Sequence, residues 1–332
     1  MFRIHRPSFD YIYHLMSALL CMVALFVIST SVVMAEALNE PIKPVPEAEN
    51  LDPNKLKLGR KLFFDPILSR DGTVSCASCH DLKAGGADNK KVSIGVGKQP
   101  GKINSPTVYN SGLLFRQFWD GRAENLESQI DGPLQNAIEM AISWPDLVAK
   151  LYNDANYPAQ FKAIYKDGVT RDNIKNAISE FERSLNATNS RFDQYLKGNS
   201  AAITATELNG YKLFKKYGCI SCHQGAAVGG NMFQVFGVIN SYFEQRGNIT
   251  DADFGRFNIT GNPQDKHSFK VPSLRMAALT PPYLHDGNAA TLRDAVDIMF
   301  KYQLGREAPD EDKKAIIEFI LTLVGEHKEL KQ

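Results

Sequence analysis

The sequence predicts a mainly α-helical protein of two related helical domains, with long loops and little strand. Three observations carry that expectation. Apolar residues recur at a period near 3.6 through segments such as "SWPDLVAKLY", "TRDNIKNAISEFERSLN" and "TATELNGYKLFKKY", each opening on a helix-start residue. One pattern occurs twice: "GRKLFFDPILSRDGTVSCASCH" (59–80) and "GYKLFKKYGCISCH" (210–223) both begin Gly-x-Lys-Leu-Phe and end Cys-x-x-Cys-His. Runs with the alternating pattern of a strand are scarce.

Taken in order, residues 1–14 carry Arg3 and Arg6. The stretch 15–35, "LMSALLCMVALFVISTSVVMA", is almost wholly apolar and ends in small Ala35 before "EALNE". Such a profile reads as a secretory signal over 1–35 and points to the periplasm. The run is also long enough to stay as a membrane anchor, although Ser17, Ser29, Thr30 and Ser31 weaken the span and favour cleavage. Of 38 basic and 37 acidic residues, cleavage removes Arg3, Arg6 and Asp10 and leaves 36 of each. A neutral surface carries no footprint for nucleic acid.

The two repeats place one domain at 36–200 and the other at 201–332, joined near "LKGNSAAIT" (196–204). In each repeat a short amphipathic helix leads into the motif, with Leu62 and Phe63, or Leu213 and Phe214, on its buried side. Residues 231–273, rich in Gly, Asn and Asp, read as long surface loops. "APDEDKKAIIEFILTLVGEH" starts with Pro and acids and continues as a helical apolar stripe.

Five cysteines are present. Cys21 lies in the export segment behind Leu20, where a lipid-attachment signal needs a small residue. The other four, Cys76, Cys79, Cys219 and Cys222, fall entirely within the two motifs, leaving none for ordinary disulfides. Cys-x-x-Cys-His is the attachment signature of c-type haem, with two thiols bonded to the porphyrin vinyl groups and the adjoining histidine turned back to iron. A four-cysteine zinc site does not need His80 and His223 in the same place twice, and a thioredoxin-type site needs a βαβ setting that is absent. Two covalently bound haem c groups follow, with His80 and His223 each filling one face of an iron. Whatever fills the opposite face decides between electron carrier and catalyst.

Over about residues 50–325 the chain resembles the bacterial dihaem cytochrome c peroxidases. The resemblance rests on "LGRKLFFDPILSRDGTVSCASCH", "SIGVG", "NSPTVYN", "QFWDGRAENLESQIDGPLQNAIEM", "GCISCHQG", "HSFKVPSLR", "LTPPYLHDG" and "TLRDAVDIM", in that order. It implies two cytochrome c-like domains, the first haem being peroxidatic. It also implies that the methionine fourteen positions after His285, Met299, is the sixth ligand of the second haem. Without the resemblance Met299 reads as a core methionine of its helix.

By the same resemblance Gln129 and Glu139 are the distal residues. Uneven cleavage of an O–O bond requires a proton to move from one oxygen to the other, which a carboxylate does and an amide only orients. Read bare, Glu139 is a solvated helix residue. Trp119 matches the tryptophan between the haems, as an electron path or as filling for a domain interface. Asn104, Thr280 and Pro282 match an inter-haem calcium site, whose hard cation suits oxygen donors. Alone, these three read as turn residues. The family also implies a homodimer.

One departure stands out. Many relatives carry, within the segment that here reads "SIGVG", a histidine that caps the peroxidatic iron in the oxidised enzyme. The residue here is Val96, which has no donor atom, and no histidine lies between His80 and His223. Met140, Lys98 or another lysine are the side chains left that could reach the iron. The expected activity is reduction of hydrogen peroxide to water, with electrons from a small cytochrome c or cupredoxin, at a haem open in the oxidised state. Two rivals remain. One is an enzyme of the methylamine-utilisation type that oxidises side chains of a partner protein. The other is a plain dihaem electron carrier, which Gln129 and Glu139 fit poorly.

Overall fold

Asp52 starts the first helix, α1 (Pro53–Phe64), by accepting hydrogen bonds from the amides of Asn54 and Lys55, with proline at the first helical position. The structure is a computed structural model that describes residues 39–331. The expected export segment lies outside them. The helices that follow are α2 (Cys76–Cys79), α3 (Leu126–Gln135), α4 (Trp144–Tyr152), α5 (Tyr157–Ile164) and α6 (Arg171–Arg183). Beyond them lie α7 (Arg191–Leu196), α8 (Ala205–Tyr217), α9 (Tyr242–Arg246), α10 (Phe257–Thr260), α11 (Leu292–Ile298) and α12 (Asp310–Leu321). Among the described residues, no helix is long and apolar enough to cross a membrane.

Two helix pairs hold the cores, and they are built alike. Helix α1 crosses α6, burying Leu58, Leu62 and Phe63 against Ile174, Ala177 and Phe181. Helix α8 crosses α12, burying Tyr211, Leu213 and Phe214 against Ala315, Ile316 and Phe319. At each crossing the glycine of the repeated Gly-x-Lys-Leu-Phe segment lets two backbones touch. A Cβ on Gly59 would lie 1.8 Å from the Ala177 carbonyl oxygen, and one on Gly210 would lie 1.8 Å from that of Ala315. The partner helices carry an echo of their own, Ala-Ile-x-Glu-Phe at 177–181 and 315–319.

The apolar clusters follow these pairs. One gathers Leu58, Leu62, Val96, Met140 and Ile174; another gathers Phe192, Tyr211, Phe214, Val296 and Phe319. The ends of the described chain cross over. Ile42 packs in the second cluster and pairs with Gly225. Glu329 reaches back to make a two-pronged ion pair with Arg60, at 2.7 and 2.8 Å.

The expectation of long surface loops over 231–273 is corrected. β1 (Phe233–Val235) pairs antiparallel with β2 (Ser268–Lys270), and Tyr242, Phe243 and Phe269 form a small core of their own. The Gly, Asn and Asp residues there supply turns between apolar clusters too short to show a period.

Candidate functional site

Each Cys-x-x-Cys-His segment folds as a single tight turn directly after its long helix or loop. Cys76 and Cys79 bracket α2, with His80 closing it. Cys219 opens a 3₁₀ turn after α8, with Cys222 at its end. All four thiols are unpaired. Burial pushes the Cys76 and Cys79 thiols up, and lifts Cys219 to about 11. Among the described residues no metal-type cluster contains these cysteines, so the four do not converge as one zinc site.

The two histidines share one arrangement. The Nδ1–H of His80 donates to the Gly86 carbonyl at 3.3 Å, and that of His223 to the Val228 carbonyl at 3.4 Å. A carbonyl can only accept, so the tautomer is fixed and Nε2 keeps its lone pair for a metal. Burial lowers both imidazoles, His223 to about 4, which keeps them neutral. The donor set therefore fits covalently attached haem at both places.

Around His223 lies a largely apolar cavity of about 290 Å³. Met299 lines it together with Cys219 and Cys222, so the structure brings the proposed sixth ligand to the same space as His223. Met299 opens a π-helical turn, Met299–Leu304, that continues α11; such turns are frequent at functional sites. Trp119 also borders this cavity. Its Nε1–H donates to the Asn104 carbonyl at 2.9 Å, and its ring meets His285 edge-on at 6.3 Å. Asn104, Thr280 and Pro282 border the cavity as well. The Asn104 amide nitrogen donates to the Lys90 carbonyl, which leaves its side-chain oxygen available.

In the first half, Val96 is completely buried among Met140, Ile130 and Leu134, with Cys76 packed against the same cluster. Its amide donates to the Glu139 carbonyl at 2.8 Å. Gly95 permits this approach, since a Cβ there would meet the Ile138 carbonyl oxygen at 2.0 Å. Glu139 sits in a turn after α3 rather than in a helix. Burial raises its carboxyl, opposed by the Asn136 side-chain hydrogen bond of 2.6 Å and by Arg122. It lies near enough to Cys79 to raise that thiol. Gln129 is half-buried on α3, whose last turns anchor the Glu139 segment through Met140 N–H to Pro133 and Ile142 N–H to Leu134.

Two buried ionisable residues were not singled out by the sequence. Glu182 on α6 is held at about 8 by burial, with Glu127 adding to the shift, and one of its oxygens has no partner. Lys270 on β2 lines the cavity around His223. Asp253, His285 and Asp286 offer ligand atoms within 4.8 Å of one another, but the Arg246 guanidinium bridges both carboxylates. That group is already neutralised.

A family described as di-haem cytochrome c peroxidase matches residues 53–201. The cytochrome c551 peroxidase of Nitrosomonas europaea is 43% identical over 296 residues, covering 89% of this chain and 87% of that protein. Cytochrome c peroxidase Ccp of Escherichia coli K12 is 46% identical over 288 residues, 86% of this chain; the chain spans 62% of that relative's length. Among solved structures, a MauG-like protein associated with microbial copper homeostasis matches with a TM-score of 0.76 at 29% identity, over 88% of this chain and 96% of that one. With two haem-attachment turns of matching construction and this similarity along nearly its whole described length, the chain belongs to the di-haem cytochrome c peroxidases, a family of peroxidase oxidoreductases.

Proposed function

We propose that this chain is a periplasmic peroxidase that reduces hydrogen peroxide to two waters, taking two electrons from a small cytochrome c or cupredoxin. One asymmetry carries the reading. Met299 stands in the cavity of His223, while the first-half residue expected to cap iron is Val96, a wholly buried side chain with no donor atom. Haem held by Cys76, Cys79 and His80 would supply iron for peroxide, and haem held by Cys219, Cys222, His223 and Met299 would supply a second redox centre.

The chain's own residues do the rest. Glu139, raised by burial, is poised to take the proton from one peroxide oxygen and pass it to the departing one. Gln129 offers an amide to orient the substrate. Trp119, fixed by its bond to Asn104, borders the cavity around His223, where it can carry electrons toward the first haem. A calcium ion held by Asn104, Thr280 and Pro282 would stiffen that same wall. The active form is a homodimer, and the domains divide near residues 196–204.

The test is peroxide-dependent oxidation of reduced cytochrome c by the purified holoprotein. Turnover supports the reading, and its absence overturns it. Val96 keeps a second reading alive, oxidation of a partner protein's side chains, while Met299 speaks against it because the methylamine-utilisation enzyme has tyrosine there. Peroxide-driven modification of a protein substrate without cytochrome c turnover would favour that second reading.

A further inference from the structure

Lys270 is 7% exposed, and no hydrogen-bond or ion-pair partner for its ammonium is found among the described residues. Its backbone is not free to move the side chain elsewhere. β2 is paired with β1 through Phe233, and the Lys270 amide donates to the Trp119 carbonyl at 2.8 Å. Its neighbour Phe269 packs on His285. The lysine lines the same cavity as His223, Met299 and Trp119. The side chain is largely buried and its ammonium opens only to the cavity; a charge so poorly hydrated and without a counter-charge is costly and is normally matched by an anion or discharged. Burial alone draws Lys270 down to about 8, so at neutral pH most of it still carries its proton, and an anion in the cavity would hold it there more firmly.

Resting on the haem reading above, we infer that Lys270 binds a propionate carboxylate of the group held by Cys219, Cys222, His223 and Met299. It thereby fixes the charged edge of that group beside Trp119. Two consequences follow. The group is oriented by a residue that touches neither iron nor substrate, and a positive charge beside it favours the reduced state of the second centre. The lysine is a positioning residue for electron storage.

The experiment is a spectroelectrochemical titration of holoprotein with Lys270→Met, Lys270→Gln and Lys270→Arg, alongside haem counting and the sulfur-to-iron charge-transfer band of methionine ligation. The expected result is that both neutral variants lower the equilibrium constant for reducing the second centre about tenfold or more, a fall in midpoint of at least about 59 mV, while Arg holds it. Loss of the second haem in both neutral variants, with retention in Arg, supports the same anchor. An unchanged midpoint in the neutral variants overturns the inference. So does a wild-type midpoint that shifts when chloride is exchanged for sulfate at constant ionic strength, because a mobile anion would then be the partner. A wild-type protein lacking the second haem or the charge-transfer band sinks the haem reading itself, and is distinguishable on that ground.

Discussion

Replacing Gly210 by alanine adds one carbon at the place where α8 and α12 touch backbone to backbone. That Cβ would lie 1.8 Å from the Ala315 carbonyl oxygen, where ordinary contact begins at 3.4 Å, so the helices must part by about 1.6 Å. Overpacking of this kind costs about 1–3 kcal/mol, and a backbone-to-backbone clash belongs at the upper end. Alanine returns about 1 kcal/mol in helix propensity. The net loss is therefore about 2 kcal/mol, or roughly 4–8 °C in the thermal midpoint of a protein of this size. Circular dichroism melting of the holoprotein reads it, with Asn209→Ala, on the exposed side of the same helix, as the control that gains propensity without the clash. Gly59→Ala should behave the same way against Ala177. If Gly210→Ala melts at or above wild type with both haems attached, the claim that the repeated glycine exists for the helix crossing is wrong.

Glu139→Gln should cut the peroxide turnover number roughly a hundredfold to ten-thousandfold while leaving haem content unchanged. Because burial raises this carboxyl, wild-type activity should fall as pH drops through a value above the ordinary glutamate range. A Gln variant that keeps that acid limb would remove Glu139 from the proton path. Glu182 is raised from 4.5 to about 8, so the folded state holds a proton that the unfolded chain has released. Its favourable contribution is full below about pH 4.5 and is lost as pH rises through about 8. The stability of Glu182→Gln should accordingly gain on that of wild type as pH rises across that window, read by denaturant unfolding, and a difference independent of pH would contradict the assignment. Val96→His should convert the first haem to a low-spin, capped form that reacts with peroxide only after one-electron reduction; a variant as active as wild type in the oxidised state would mean that position 96 does not face the iron.

Much of the site was legible because its chemistry depends on local spacing. Cys-x-x-Cys-His is a geometric demand within one turn, whereas Met299 stood out only through the resemblance and read by itself as a core methionine of its helix. Helices α1, α6, α8 and α12 showed themselves through apolar period and caps. The helical reading of the Glu139 segment ran too far: α3 ends at Gln135, and Glu139 lies in the turn beyond it. The Ala-Ile-x-Glu-Phe echo carries packing and no reactive group, so nothing in its residue types marks it beforehand. Lys270 was hidden for a different reason. Lys270 falls within the Gly-, Asn- and Asp-rich stretch that reads as surface loop, where a lysine is expected to face water, and only the fold turns it toward a cavity. Glu139 likewise looked like a surface residue until the turn after α3 folded it against Gly95 and Val96.

Electron paramagnetic resonance of the fully oxidised holoprotein tests the central asymmetry most directly. A high-spin ferric signal from the His80 haem beside a low-spin signal from the His223–Met299 haem is the result expected if Val96 leaves the first iron open. A spectrum with low-spin signals alone would mean that Met140, Lys98 or another side chain caps that iron, and it would contradict the account.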